Sequence, residues 1–141
     1  MDLETLSREE ALWLMSRMPV GRVVYTVGGL PAVTPVNFAL VGDSVIVRTT
    51  PGSRLASAVR DSVVAFEVDD IDAASHTGWS VTAIGQATEV SDPAELQQLA
   101  GAVHPWVDGA QNYVIRIGTD IVTGRRLVPH ADGETRVMFS D

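Results

Sequence analysis

Residues 22–50 read RVVYTVGGLPAVTPVNFALVGDSVIVRTT, three runs rich in β-branched residues (22–27, 32–41 and 44–50) separated by Gly28-Gly29 and Gly42-Asp43. Two-residue glycine-containing breaks between such runs are hairpin signals. A parallel pair would need a crossover of a dozen residues or more, for which there is no room. The stretch therefore predicts an antiparallel meander, and with it an antiparallel rather than an α/β fold.

On the N-terminal side, Ser7 and Glu10 form a capping box, and Ala11, Leu14, Met15 and Met18 recur at helical spacing, so 6–18 is an amphipathic helix ended by Pro19 and Gly21. On the C-terminal side, Leu55, Ala58 and Val59 predict a short helix over 53–60, followed by a strand over 62–68. The acidic run Asp69-Asp70-Ile71-Asp72 and residues 73–77 read as a loop, solvated rather than calcium-binding because the glycine turn and distal glutamate of a calcium loop are missing. A strand over 79–90 leads to a helix in which Asp92 caps, Pro93 takes the first position, Glu95 closes a capping box, and Leu96, Leu99, Ala100 and Val103 form the buried stripe. His104-Pro105-Trp106 breaks that helix; strands over 113–117 and 121–128 follow, and 129–141 is weakly patterned, as expected of a mobile tail. Six or seven strands without regular helix alternation, plus three helices, predict a mainly β fold: a small antiparallel barrel with peripheral helices, in a single domain over 1–141 whose core spans about 6–128.

The chain has no cysteine, which excludes disulfides, zinc–thiolate sites, iron–sulfur clusters and thiol catalysis. His76, His104 and His130 show no metal-ligand spacing, and no metal is expected. A net charge of -8 argues against nucleic acid or an anionic membrane as partner. No apolar run approaches the roughly 20 residues of a membrane helix, and the first residues lack a signal-peptide pattern, so the expected location is cytoplasmic.

Against that acidic background, Arg48-Thr49-Thr50-Pro51-Gly52-Ser53-Arg54 stands out. It delivers two guanidinium forks, three hydroxyls and the N-terminus of the short helix to one turn, with Gly52 allowing close approach of the backbone: the donor set of an anion site. The same residues equally describe a plain strand-to-helix connection with Ser53 as cap. It is not a Walker loop, which requires Gly-x-x-x-x-Gly-Lys.

Several motifs in order, Gly21-Arg22-Val23-Val24, Pro31-Ala32-Val33-Thr34-Pro35-Val36-Asn37-Phe38, Arg48-Thr49-x-x-Gly52-Ser53-Arg54, Phe66-Glu67-Val68-Asp69-Asp70, Thr77-Gly78-Trp79-Ser80-Val81, Ile84-Gly85-Gln86-Ala87 and Val122-Thr123-Gly124-Arg125-Arg126, resemble the pyridoxamine 5′-phosphate oxidase-like flavoproteins over residues 6–127. The pattern closely resembles the actinobacterial branch, which contains dormancy-associated members of unassigned activity. The resemblance implies an FMN-binding split β-barrel that forms a homodimer with flavin sites at the interface. It places the flavin phosphate on Arg48, Thr49, Ser53 and Arg54, with Thr50 and Gly52 in the same turn, and a flavin contact at Trp79-Ser80. It brings Trp106, Arg125 and Arg126 from the partner subunit.

Asn37 is open to two readings, facing the ring or capping a neighbouring loop; Trp79 likewise packs in the barrel or stacks on the flavin, and His104 reads as structural rather than as an acid or base. No catalytic side chain is nominated, because the isoalloxazine carries the electrons. The chain ends without an evident counterpart of the basic and aromatic residues that clasp substrate in the vitamin B6 oxidase itself. The functional expectation is an FMN-dependent oxidoreductase acting on an unidentified small molecule. The alternatives are a reductase using the deazaflavin F420 and a non-enzymatic or cofactor-free barrel dimer.

Overall fold

The computed structural model describes residues 1–107, 109 and 112–129; the expected tail, with His130, lies outside the described residues save for Pro129. The elements in chain order are β1 (Asp2–Thr5), α1 (Arg8–Ser16), β2 (Val20–Val27), β3 (Leu30–Val41), β4 (Ser44–Thr49), α2 (Arg54–Ala58), β5 (Ser62–Asp72), β6 (Thr77–Glu89), α3 (Pro93–Ala100), β7 (Tyr113–Ile117) and β8 (Ile121–Val128). All pairings are antiparallel. The order β6-β5-β2-β3-β4-β7 closes through the β6–β7 pair into a six-stranded barrel, and β8 and β1 extend the sheet beyond β6. The expected mainly β barrel with three peripheral helices is what the chain forms.

Three local expectations change. β1 lies ahead of the predicted helix; its burial pattern shows no inward face, and it is held by register to β8, Asp2 opposite Val128 and Thr5 opposite Arg125. The acidic run is not a loop but the end of β5, paired down to Asp72 opposite Thr77. Both faces are solvated there, so no alternation marks it, and backbone pairing carries the ladder past the barrel wall. Glu95 does not complete a capping box: Asp92 accepts from the Glu95 amide at 3.0 Å, while the Glu95 carboxylate holds Arg116 at 2.6 Å. At α1 the full box forms, Ser7 accepting from the Glu10 amide at 3.1 Å and the Glu10 carboxylate accepting from the Ser7 amide at 3.4 Å.

The barrel interior is filled by Val23, Tyr25, Val45, Val47, Val64, Phe66, Val68, Val81, Ala83 and Ile115, with Phe38 edge-on to Phe66 at 4.8 Å, while Leu14 and Met15 of α1 pack against the same cluster. A second cluster, Ile46, Val90, Leu99, Val103 and Val114, sits on the outer face of β4 and β7 beneath α3. Thr119, just ahead of β8, is buried and satisfied: Arg8 donates to its carbonyl and hydroxyl at 2.6 and 2.9 Å, and the hydroxyl donates to the Asp43 carbonyl at 2.6 Å. That clamp ties α1, the β3–β4 turn and the β7–β8 connection together. Among the described residues no helix is long and apolar enough to cross a membrane.

One irregularity in the barrel positions the site. β3 has twelve residues, all but its last four paired with β2 alone; β4 joins only at Phe38–Val41. From Pro31 to Asn37 the edge of β3 facing β4 is therefore unpaired, and the barrel is split along it.

Candidate functional site

The split opens into a cleft of about 840 Å³, whose walls are β3 from Pro31 to Asn37, the Arg48–Leu55 turn, and the segment Pro105-Trp106-Val107 that follows α3. That volume is within the range of small-molecule and cofactor sites.

The turn forms because Thr-Pro-Gly-Ser meets the requirements of a type II turn: proline in second position, and glycine third at φ +78°, with the Ser53 amide bonded to the Thr50 carbonyl at 3.1 Å. A Cβ on Gly52 would meet nothing within 4 Å. No protein atom crowds that position, so what the fold itself requires of Gly52 is its positive φ. Ser53 caps α2, accepting from the Ala56 amide at 3.0 Å, and its hydroxyl lies 3.2 Å from that of Thr49. α2 is only five residues long, shorter than the predicted 53–60, because Val59 caps it and Asp61 takes a positive φ of 50° into β5. The plain-cap reading of Ser53 thus holds locally. So short a helix contributes little dipole to an anion, and any anion here relies on guanidinium and hydroxyl groups.

Both guanidinium residues of the turn line the cleft, together with Thr49 and Ser53, and no acidic residue does among the described residues. In a chain of net charge -8 this is a local reversal of sign. The two arginines differ. Arg54 is exposed at the rim. Arg48 is half-buried and its Nη1 donates to the carbonyls of Ala100, the last residue of α3, and Val103, in the segment that follows, each at 3.1 Å. Since α3 carries no basic residue in its own last turn, Arg48 compensates its C-terminal carbonyls from a neighbouring strand.

β3 supplies the opposite wall. The Phe38 amide bonds the Pro19 carbonyl at 3.3 Å, so even-numbered β3 residues turn their backbone groups to β2. Pro31, Val33, Pro35 and Asn37 therefore turn theirs to the open edge. Proline is tolerated in a strand at such positions, where no ladder donor is lost, and the two prolines leave that edge rich in carbonyl acceptors and poor in donors. Deeper in the cleft, Tyr25 and Thr34 share a hydroxyl–hydroxyl bond of 2.7 Å. Neither was picked out by sequence; counting the hairpin register back from Gly28-Gly29 sets Tyr25 opposite Ala32 and diagonal to Thr34, and is the signal that finds them.

Asn37 caps the neighbouring loop, its Oδ1 accepting from the Trp106 amide at 2.9 Å, and it also lines the cleft. Trp106 thereby lines the cleft of its own chain. Thr50 enters the turn through its carbonyl and, like Gly52, is not a cleft wall.

Trp79, Ser80, Arg125 and Arg126 form a separate group on β6 and β8, Trp79 opposite Arg126 and Ser80 opposite Arg125, outside this cleft. Trp79 packs against the barrel core. Arg126 sits 3.8 Å from Glu4 and 4.0 Å from Glu10, while Arg125 is exposed. On the outer face of β2 and β5, Arg22 holds Glu67 at 3.0 Å and Asp69 at 3.3 Å. Burial, helped by the adjacent Asp69 carboxyl, pushes the Glu67 carboxyl up to about 7 against the opposing pull of Arg22.

Comparison with known proteins agrees with this fold. Residues 7–126 match the family pattern described as pyridoxamine 5′-phosphate oxidase. An uncharacterized protein of Mycobacterium tuberculosis is 45% identical over 135 residues, 92% of this chain and 88% of that protein. Among solved structures, an FAD-binding protein from Mycobacterium smegmatis superposes with a TM-score of 0.72 at 31% identity, over 90% of this chain and 100% of that one. A conserved protein of unknown function from Corynebacterium diphtheriae gives 0.73 at 30% identity, over 89% and 98%.

Proposed function

The chain belongs to the pyridoxamine 5′-phosphate oxidase family, and from that premise we propose that it binds a flavin nucleotide, FMN, in the cleft at the barrel split and acts as a homodimeric oxidoreductase on a small molecule. The observation that carries the reading is the cleft's composition: Arg48 and Arg54 with the Thr49 and Ser53 hydroxyls at one end, apolar Pro31, Val33, Pro35 and Trp106 along the rest, and no acid among the described residues. A flavin nucleotide has the complementary parts, an anionic phosphate and a planar ring.

Arg54, Thr49 and Ser53 would hold the phosphate, with Arg48 adding its charge at the same end of the cleft. The open β3 edge, with its carbonyls and the Val33 amide, would offer hydrogen-bond partners to the ring, and Val33, Val36 and Trp106 would exclude water from it. The bound flavin would supply electron transfer, and the residues of the chain supply binding and orientation, so no acid or base need be built into the cleft. FAD is the second reading, favoured by the M. smegmatis relative, which is described as FAD-binding; it shares the FMN moiety, and the same residues would hold it.

Reconstitution followed by visible spectroscopy and mass spectrometry of the extracted ligand tests this. A two-banded flavin spectrum with FMN released is the expected result; released FAD selects the second reading. A single deazaflavin band, or failure to take up any flavin, overturns both.

A further inference from the structure

Trp106 and Val107 are each 69% exposed, yet they are held at the mouth of the cleft. A tryptophan on a connecting segment is ordinarily free to fold down onto the surface. Here the segment from Gly101 to Val107 is pinned from outside. Arg48 donates to the carbonyls of Ala100 and Val103, Val103 is buried in the cluster under α3, and Asn37 accepts the Trp106 amide from β3. The two tethers come from opposite walls of the cleft, so the spacing between those walls sets where the Trp106 main chain stands, at the mouth that its side chain lines. Each tether residue also lines the cleft itself.

We propose that Trp106 is the specificity-determining wall of the cleft, selecting a planar aromatic ring, and that Asn37 is a positioning residue that acts through the Trp106 main chain. The proposal rests on the flavin reading for the identity of the ring, but the latch itself does not. It differs from the expectation that Trp106 serves a partner's site: the tethers belong to one chain and one cleft.

One hydrogen bond of this kind contributes about 0.5–1.5 kcal/mol, so its loss should weaken ring binding roughly 2- to 13-fold. Two measurements on the full chain test the proposal. Amide hydrogen exchange, without ligand, should find the Trp106 N–H protected in the wild type and in Asn37→Asp, whose carboxylate still accepts, and unprotected in Asn37→Ala. Flavin-fluorescence titration should then find Asn37→Ala and Trp106→Ala weakening riboflavin and FMN by the same factor, with Asn37→Asp and Trp106→Phe restoring most of the affinity. A merely structural Asn37 would lower stability without a matched ring-dependent loss. An unprotected Trp106 amide in the wild type overturns the latch. Unchanged flavin affinity in Asn37→Ala or Trp106→Ala overturns the selecting role. If the wild type takes up neither riboflavin nor FMN, the flavin reading and the ring assignment fall together, while the exchange measurement still decides the latch.

Discussion

At the residue scale, Arg48 and Arg54 look equivalent in the sequence and are not. Arg48 is committed to the Ala100 and Val103 carbonyls, so Arg48→Ala should lower stability, by about 1.5–3 kcal/mol for the charge-assisted hydrogen bonds lost from these part-buried groups, as well as weaken anion binding. Arg54→Ala should leave the melting temperature near wild type and weaken FMN roughly 10- to 150-fold, as expected for one charge-assisted bond of about 1.5–3 kcal/mol, while sparing riboflavin, which has no phosphate. Paired thermal melts and titrations check both. Equal losses of FMN and riboflavin in Arg54→Ala would place the phosphate elsewhere. Glu67 gives a pH prediction. Its carboxyl is raised from 4.5 to about 7 in the folded chain, so between those values the folded state binds more protons than the unfolded. Its contribution is then fully present below about pH 4.5 and lost as pH rises through about 7. Glu67→Gln should remove that portion of the decline, narrowing or reversing its stability difference from wild type at pH 8, as read from melting temperature across pH. The sequence exposed the types of these residues and their order. It did not expose which acceptor each arginine finds, because Ala100 and Val103 are backbone partners more than fifty residues away.

At the element scale, β6 is the strand on which closure depends. It pairs with β8 up to Ile84, then with β7 from Ala87, and Gly85 stands at the change of partner. A Cβ there would run into the carbonyl of Gly118, whose own amide bonds the Gln86 carbonyl at 3.0 Å. Gly85→Ala therefore forces two backbones apart and should cost at least about 1–3 kcal/mol, measurable by chemical denaturation; a neutral result would mean that the β7–β8 connection relaxes freely. Legibility at this scale followed side-chain pattern. The meander, α1, the Asp92 cap and β7 and β8 were all readable because alternation or capping chemistry marks them. β1 and the far end of β5 were not, since their ladders stand where neither face is buried.

For the whole molecule, the fold class was legible from hairpin spacing and its family from the order of motifs, but the cleft was not. It arises from a pairing that is missing, β3 without β4 over Pro31–Asn37, and an unpaired edge leaves no mark in composition beyond the two prolines it tolerates. The Trp79, Ser80, Arg125 and Arg126 group stands outside the cleft of one chain, and the proposed homodimer is the arrangement that would bring such a group to a partner's flavin. Sedimentation equilibrium should give twice the chain mass, and Arg125→Ala should then weaken flavin binding. A monomer that binds flavin with full affinity would contradict the shared-site arrangement. The register of β1 with β8 bears also on synthesis. Residues 2–5 emerge long before 125–128, with which they pair, and the Arg8 clamp waits likewise for Thr119. The nascent chain therefore carries α1, apolar face included, without β8 beside it until that strand has emerged, so that folding completes late and this face stays uncovered longest.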